Sequence, residues 1–332
     1  MVHPPGAGIF QADTREREPS PLKIALAFLA VYLIWGSTYI AIKFALETMP
    51  PCFLGAVRFT GAGLLMCLVA VLRKEPRPTF EQLRSAAVLG MLLLVFGSMG
   101  VVFAERTVPS GLVSLLVTSV PIYIVLLQWI LPGRMGRVPS LKVLLGLAFG
   151  VMGLSLLLDL DTIFGAEKID LAGAAWVLIG AFGSACGALY TRVARVHQSK
   201  IYSVGLQMTF AGLFLLLASF ATGEFLHLDL QGITAKSLWS LLYLAVFGSI
   251  IGFSAYVYLL QNVSPSRVAT YAYVNPVVAV LLGWLLGGEA VTTRTLISAV
   301  VVIAAVWMIN TGQHKSLLAP RAEKQKEADE AA

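Results

Sequence analysis

Ten apolar runs of about twenty residues follow one another along this 332-residue chain, separated by short polar linkers. A helix rises about 1.5 Å per residue, so each run matches the hydrocarbon thickness of a bilayer. Inside lipid, every backbone N–H and C=O must find its partner within the protein, and a helix does this locally. The runs therefore predict an all-α membrane protein with ten transmembrane helices. The spans are Leu22–Leu46, Phe53–Leu72, Leu83–Ala104, Ser110–Leu131, Leu141–Leu158, Leu171–Tyr190, Ile201–Ala221, Leu238–Leu260, Val268–Leu286 and Thr295–Thr311. Short linkers make neighbouring helices antiparallel. With 58% hydrophobic and only 13% charged residues, an ordinary soluble domain is excluded. Residues 1–21 are polar and Pro-rich and read as a disordered cytoplasmic N-terminus. The apolar run after them is too long for a signal-peptide core and ends in no small-residue cleavage site.

The charges give an orientation. With the N-terminus inside, eighteen Lys and Arg residues fall in inner segments and five (Lys43, Arg106, Lys168, Lys236, Arg294) in outer ones, leaving Arg58 inside a span. This is the positive-inside pattern, and an even number of spans puts both termini in the cytoplasm. A net charge of +6 distributed in alternate loops points to a lipid bilayer as partner, not to nucleic acid. Residues 312–332 form a charged cytoplasmic tail. Three cysteines (Cys52, Cys67, Cys186) lie in apolar spans without metal or disulfide spacing.

The chain also repeats itself. VFGS occurs at Val95–Ser98 and at Val246–Ser249, and Thr60, Gly63 and Leu64 align with Thr209, Gly212 and Leu213. Trp35-Gly36-Ser37 corresponds to Phe182-Gly183-Ser184, and Pro121 to Pro276. The repeats are 22–158 and 171–311. Each contains five spans, an odd number, so the second must insert upside down relative to the first. Such inverted repeats place a substrate site near the midplane, where the halves meet.

The aromatic and polar stretch Tyr271–Gly283 is the clearest candidate for that site. Tyr271 and Asn275 share a helix face, and Pro276 leaves a carbonyl one turn back without its usual partner. Ser110, Ser114, Thr118 and Pro121 form a polar stripe on the corresponding helix of the first half. Their hydroxyls either line a cavity or bond back to their own helix. Pro121 and Pro276 read as hinges. Trp35, Tyr39 and Lys43 share a face of the first span, with Ser37 beside them. Lys43 reads as snorkelling to water. Further candidates for a substrate cavity are Ser98, Ser184, Tyr190, Ser254, Tyr258 and Tyr273. A second stripe on the eighth span holds Ser249, Phe253 and Tyr256. Arg58 is a charge at depth, which calls for a partner or a water path. Glu105 suits it by depth, and the pair reads either as part of an outer gate or as a structural tether. GxxxG spacings at Gly146–Gly150, Gly183–Gly187, Gly248–Gly252 and Gly283–Gly287 read as close-packing seams.

These residues resemble the EamA-type members of the drug/metabolite transporter superfamily, the YedA-type inner-membrane exporters among them. The likeness rests on Trp35-Gly36-Ser37-Thr38-Tyr39, Pro50-Pro51 with Arg58, Val108-Pro109-Ser110-Gly111, Phe247–Ile251, Asn262–Pro265, Tyr271–Gly283 and Gly287-Gly288-Glu289. It implies a bacterial inner-membrane protein exporting small organic solutes through a cavity lined by the first, third and fourth spans of each half, with the fifth spans peripheral. The family pattern places a Glu after the fourth span of a half. Glu289 fits, whereas the first half reads Pro132-Gly133-Arg134. No carboxylate lies in the middle third of any span, and no nucleotide loop or hydrolase motif occurs. The expectation is a secondary transporter of amino-acid-like or amphiphilic solutes, not an enzyme, with no cofactor and no metal, as a monomer or homodimer. A lipid flippase and a non-transporting scaffold are the alternatives.

Overall fold

Lipid-compatible composition and helix caps together set the elements. The computed structural model describes residues 21–130, 140–158, 170–191, 193–263, 268 and 271–330, and among these all regular secondary structure is helical. The expected disordered N-terminus, the Pro132-Gly133-Arg134 segment and most of the loop before Asp170 lie outside the described residues. The helices are α1 (Pro21–Ala45), α2 (Pro51–Leu72), α3 (Phe80–Ala104), α4 (Ser110–Ile130), α5 (Leu141–Leu158), α6 (Leu171–Tyr190) and α7 (Lys200–Ala221). There follow α8 (Ala235–Tyr243, Leu244–Ile251 and Gly252–Asn262), α9 (Tyr271–Gly287) and α10 (Thr293–Glu330). Seven are long and apolar enough to cross a membrane, and shorter apolar helices cover Leu141–Gly153, Val274–Gly287 and Thr293–Ile309.

Caps account for boundaries that hydropathy misjudges. α3 begins three residues before the apolar run because Thr79 and Gln82 make a reciprocal capping box. α8 begins at Ala235 because the Thr234 hydroxyl accepts the Ser237 N–H. α10 does not stop at the end of its apolar stretch. It carries on through the charged tail to Glu330.

Three helices depart from regular α geometry at mid-length. π-helical turns occupy Val31–Trp35 in α1, Gly90–Phe96 in α3 and Leu244–Ile251 in α8. Such turns leave carbonyls free for other donors and recur at functional sites. α4 is interrupted between Val117 and Val120, just before Pro121, whereas Pro276 lies inside a continuous helix.

Small residues decide which helices meet. α2 packs along α7, where Gly63 lies against Thr209 and Gly212 against Thr60. α5 packs along α10 through Gly146, Gly150 and Gly153. α3 meets α6 where Gly100 and Gly180 approach backbone to backbone. α1 packs against α8 and α9, and α9 against the first part of α4. The main buried cluster joins α1, α2, α3, α7 and α8 around Phe59, Met208 and Leu244.

Candidate functional site

The site is built where α1 meets α8 and α9. Gly36 allows α1 to press against α9 at Asn275 and Val278, beside Pro276. That approach sets Trp35 among three rings: Phe253 at 5.3 Å, Tyr256 at 5.1 Å and Tyr271 at 5.3 Å between centroids. Tyr256 and Tyr271 are themselves 5.8 Å apart in an edge-to-face arrangement. Edge-to-face geometry suits ring quadrupoles. The indole N–H of Trp35 donates to the Gly248 carbonyl at 3.2 Å, within the π-helical turn of α8. Gly252 is required directly beside it, since a Cβ there would meet the indole. Two residues on, the Ser37 hydroxyl bonds to the Tyr243 hydroxyl at 2.6 Å.

A cavity of about 370 Å³ lies toward the Lys200 end of the helices. Phe253, Ser254 and Tyr258 of α8 form one wall, Met66 of α2 and Val204 of α7 another, with Gln198, Ser199 and Lys200 at the rim. Phe253 thus belongs both to the cavity and to the ring cluster. Hydroxyls and aromatic faces on apolar walls suit a solute that is amphiphilic or carries a delocalised or ammonium charge.

The opposite end is closed by polar contacts between the two halves of the chain. The Gly288 backbone adopts φ +63°, and the Glu289 N–H bonds back to the Gly283 carbonyl at 3.0 Å. This turn aims the Glu289 carboxylate at the start of α4, where it accepts the N–H groups of Ser110 at 2.8 Å and Gly111 at 3.2 Å. Helix N-termini favour negative charge. Lys43 completes the knot with an ion pair to Glu289 at 2.7 Å. The expectation that Lys43 simply snorkels to water is therefore corrected: a buried carboxylate, only 7% exposed, holds it. Gly283, expected as a packing seam, makes room for that carboxylate. Burial alone would raise the Glu289 carboxyl, but the Lys43 bond and the two backbone donors outweigh it and hold the group below its ordinary value.

Further bonds tie the same end. Glu224, after α7, accepts from the Cys52 and Phe53 N–H groups at 2.9 and 3.1 Å, capping α2. Ser237 donates to the Phe44 carbonyl at 2.8 Å, the Thr234 N–H to the Thr48 hydroxyl at 3.2 Å, and Lys236 pairs with Glu47. Asp170 caps α6 and takes a bond from Thr107. The Thr107 hydroxyl and the Ala172 N–H hold its carboxyl below the usual range.

The remaining candidates fall in several places. Ser114 and Thr118 are buried and donate to their own helix, at Gly111 O (2.6 Å) and Leu115 O (2.5 Å). Back-bonding is thus observed for these two hydroxyls of the stripe, whereas the buried Ser110 hydroxyl has no partner among the described residues. Ser184 faces Gly97 at the α3–α6 contact, with Ser98 next to it. Tyr39 packs against the cluster around Val113 and Leu116, and Tyr190 is half-buried at the end of α6. Asn275 is buried against α1, and the side chain of Tyr273 lies outside the described residues. Arg58 is buried and donates from Nε to the Ser249 hydroxyl at 3.0 Å, with its guanidinium 5.0 Å from the Phe59 ring. No ion pair joins it to Glu105 among the described residues. Glu105 is buried, with neither carboxylate oxygen on a donor among the described residues. The candidate set omitted Phe253, Tyr256 and Glu224. The i, i+4, i+7 spacing of Ser249, Phe253 and Tyr256 was the available signal for the first two. Glu224 had no signal, because its partners Cys52 and Phe53 are 172 and 171 residues away.

Comparison with known proteins agrees with this architecture. Residues 22–159 and 171–311 each match the EamA-like transporter family. The Escherichia coli (strain K12) protein named "Uncharacterized inner membrane transporter YedA" is 37% identical over 306 residues, covering 89% of this chain and 94% of that protein. A Salmonella typhimurium protein named "Probable amino-acid metabolite efflux pump" is 27% identical over 293 residues, covering 84% and 92%. One solved crystal structure superposes with a TM-score of 0.58 at 20% identity, covering 91% of this chain and 99% of the other, a likeness of fold alone. The chain is thus a membrane transporter, not an enzyme, and belongs to the EamA-like transporter family.

Proposed function

We propose that this protein exports small organic solutes, amino-acid-like or amphiphilic, from the cytoplasm by alternating access between two inverted five-helix halves. Both termini are cytoplasmic in this reading, so the cavity at Lys200 faces the cytoplasm and the Lys43–Glu289 end faces outward. The observation that carries the proposal is the asymmetry of the half-to-half contacts: polar bonds close one end, a 370 Å³ cavity occupies the other, and the rings around Trp35 lie between. A cytoplasm-facing state of an exporter has these features.

The inverted repeat draws support from reciprocal packing. Gly63 lies on Thr209 and Gly212 on Thr60, residues that exchange places under the repeat. The α2–α7, α4–α9 and α5–α10 pairs each map onto themselves, and α3–α6 maps onto α8–α1. A two-fold relation demands this reciprocity.

The name of the Salmonella relative favours amino-acid metabolites as the first substrates to test. The test compares cellular and medium metabolite pools by mass spectrometry, in cells making the wild-type protein or Trp35→Ala at equal membrane level. Export of one solute class by the wild type alone supports the reading. Equal pools in both overturn it and leave a flippase or scaffold role.

A further inference from the structure

The lock at the Lys43 end leaves one carboxyl group out. Glu105, at the end of α3, is 4% exposed, and among the described residues no donor meets either of its oxygens in hydrogen-bonding geometry. Both cations that reach it are engaged elsewhere. Lys43 of α1 is on Glu289, and Arg58 of α2 is on Ser249. The backbone and ammonium of Lys43 act on the Glu105 charge without bonding an oxygen. Tyr39 of α1 also interacts with it, and Glu289, from the α9–α10 turn, presents a like charge. On the side of α6, Asp170 is held by Thr107 and the Ala172 N–H, and Arg106 is exposed.

An ionised carboxylate in this position would be desolvated, undonated and close to a second carboxylate. The neutral acid removes the charge, and with it the repulsion from Glu289 and most of the cost of burial without a donor. We infer that Glu105 is a proton-binding site whose occupancy follows closure of the Lys43 end. The acid is protonated while Lys43 stays on Glu289. When that end opens, the O–H bond of Glu105 breaks, the proton passes to water, and the freed cations serve the carboxylate. Closure reverses the transfer, and no redox partner is needed. Glu289 does not compete as the titrating group near neutral pH, because its bonds to Lys43, Ser110 and Gly111 hold its carboxyl below the ordinary value.

This inference rests on the alternating-access reading, in which the Lys43 end faces outward: the proton is taken up from outside on closure and returned there on opening, so the outside pH sets how readily that end opens. The test uses the full-length protein in nanodiscs with two readouts that need no transported solute. Infrared spectroscopy should show a protonated-carboxyl C=O stretch near neutral pH that is absent in Glu105→Gln. It should also be lost in Glu289→Gln, whose lock is broken. Hydrogen exchange over residues 36–46 and 110–117, corrected for intrinsic pH dependence, should lose protection by about tenfold per pH unit across the range where Glu105 is protonated in the closed state and ionised in the open one, as linkage of one proton requires. Glu105→Gln should remain protected across the same range. A stretch that survives Glu105→Gln, an unchanged stretch in Glu289→Gln, or equal exchange slopes in wild type and Glu105→Gln would each overturn the proposal. A protein that exports nothing yet shows the slope would keep the proton site and lose the transport reading.

Discussion

The two ends of this helix bundle are held by different physics. At the Lys43 end, cross-half contacts are charges and hydrogen bonds: Glu289 on the start of α4, Glu224 on the start of α2, Ser237 on the Phe44 carbonyl. Toward the Lys200 end, α1 meets α8 through apolar and aromatic side chains such as Val31, Leu259, Trp35 and Tyr256, and a cavity adjoins them. Directional bonds break as a set when helices separate, whereas aromatic faces can slide and re-pack. The contrast teaches where a gate and where a binding surface can be built from the same kind of helix. Cross-linking the halves by polar groups makes a two-position latch. Lining their meeting point with rings makes a surface that accepts a solute.

The sharpest test of the contrast is Trp35→Ala. It removes three ring contacts and the bond to Gly248, and a truncation of this size costs about 3–5 kcal/mol. Thermal unfolding in detergent should show the drop. Trp35→Phe should recover most of it, and equal losses for the two variants would mean that the ring faces contribute little.

Glu289→Ala comes next. It strands the Lys43 ammonium and two helix N–H groups, at about 1.5–3 kcal/mol. Faster amide exchange should be confined to the Lys43 end, while exchange around Tyr258 stays as in the wild type. Spread of the effect to both ends would show that the ends are not separable.

The pH response of the same group has a defined sign. The Glu289 carboxyl is held below its ordinary value, so its contribution is fully present above about pH 4.3, the unperturbed carboxylate value. It is lost as pH falls through the depressed folded value. Unfolding midpoints of wild type and Glu289→Gln should therefore converge on acidification, and a gap that persists would assign the stability elsewhere.

Glu224→Ala should cost about 1 kcal/mol, the scale of a lost helix cap, with fraying confined to the start of α2. The smallest effect belongs to Lys236→Ala. Its pair with Glu47 is half-exposed, and such pairs contribute about 0–1 kcal/mol. A large loss there would reverse the ranking and make the rim, not Glu289, the main latch.

Much of this could be read before any coordinates. The apolar runs are legible because lipid imposes length and uniform apolarity on each helix separately. Trp35 and Tyr271 are legible as candidates because aromatic and polar groups at mid-depth are costly unless used. The π-helical turns were not legible, since VYLIW and LAVFGSII obey ordinary helical patterns and only tertiary contacts such as Trp35 on Gly248 stabilise the wider turn. Likewise Ser114 and Thr118 carry a stripe that fits either a cavity or back-bonding, and spacing cannot say which way a hydroxyl turns.

The sequence alone determined that this chain is a helical membrane protein, because hydrocarbon acts on each segment through its own composition. Its internal repeats and motifs also identified the transporter family. Only the tertiary structure decided which charges pair. Lys43 with Glu289, Arg58 with Ser249 and Glu105 with no donor among the described residues are outcomes of how helices far apart in sequence come together. Electrostatic and hydrogen-bond energies depend on distances of a few ångströms across such contacts, and no local pattern in the chain encodes those distances.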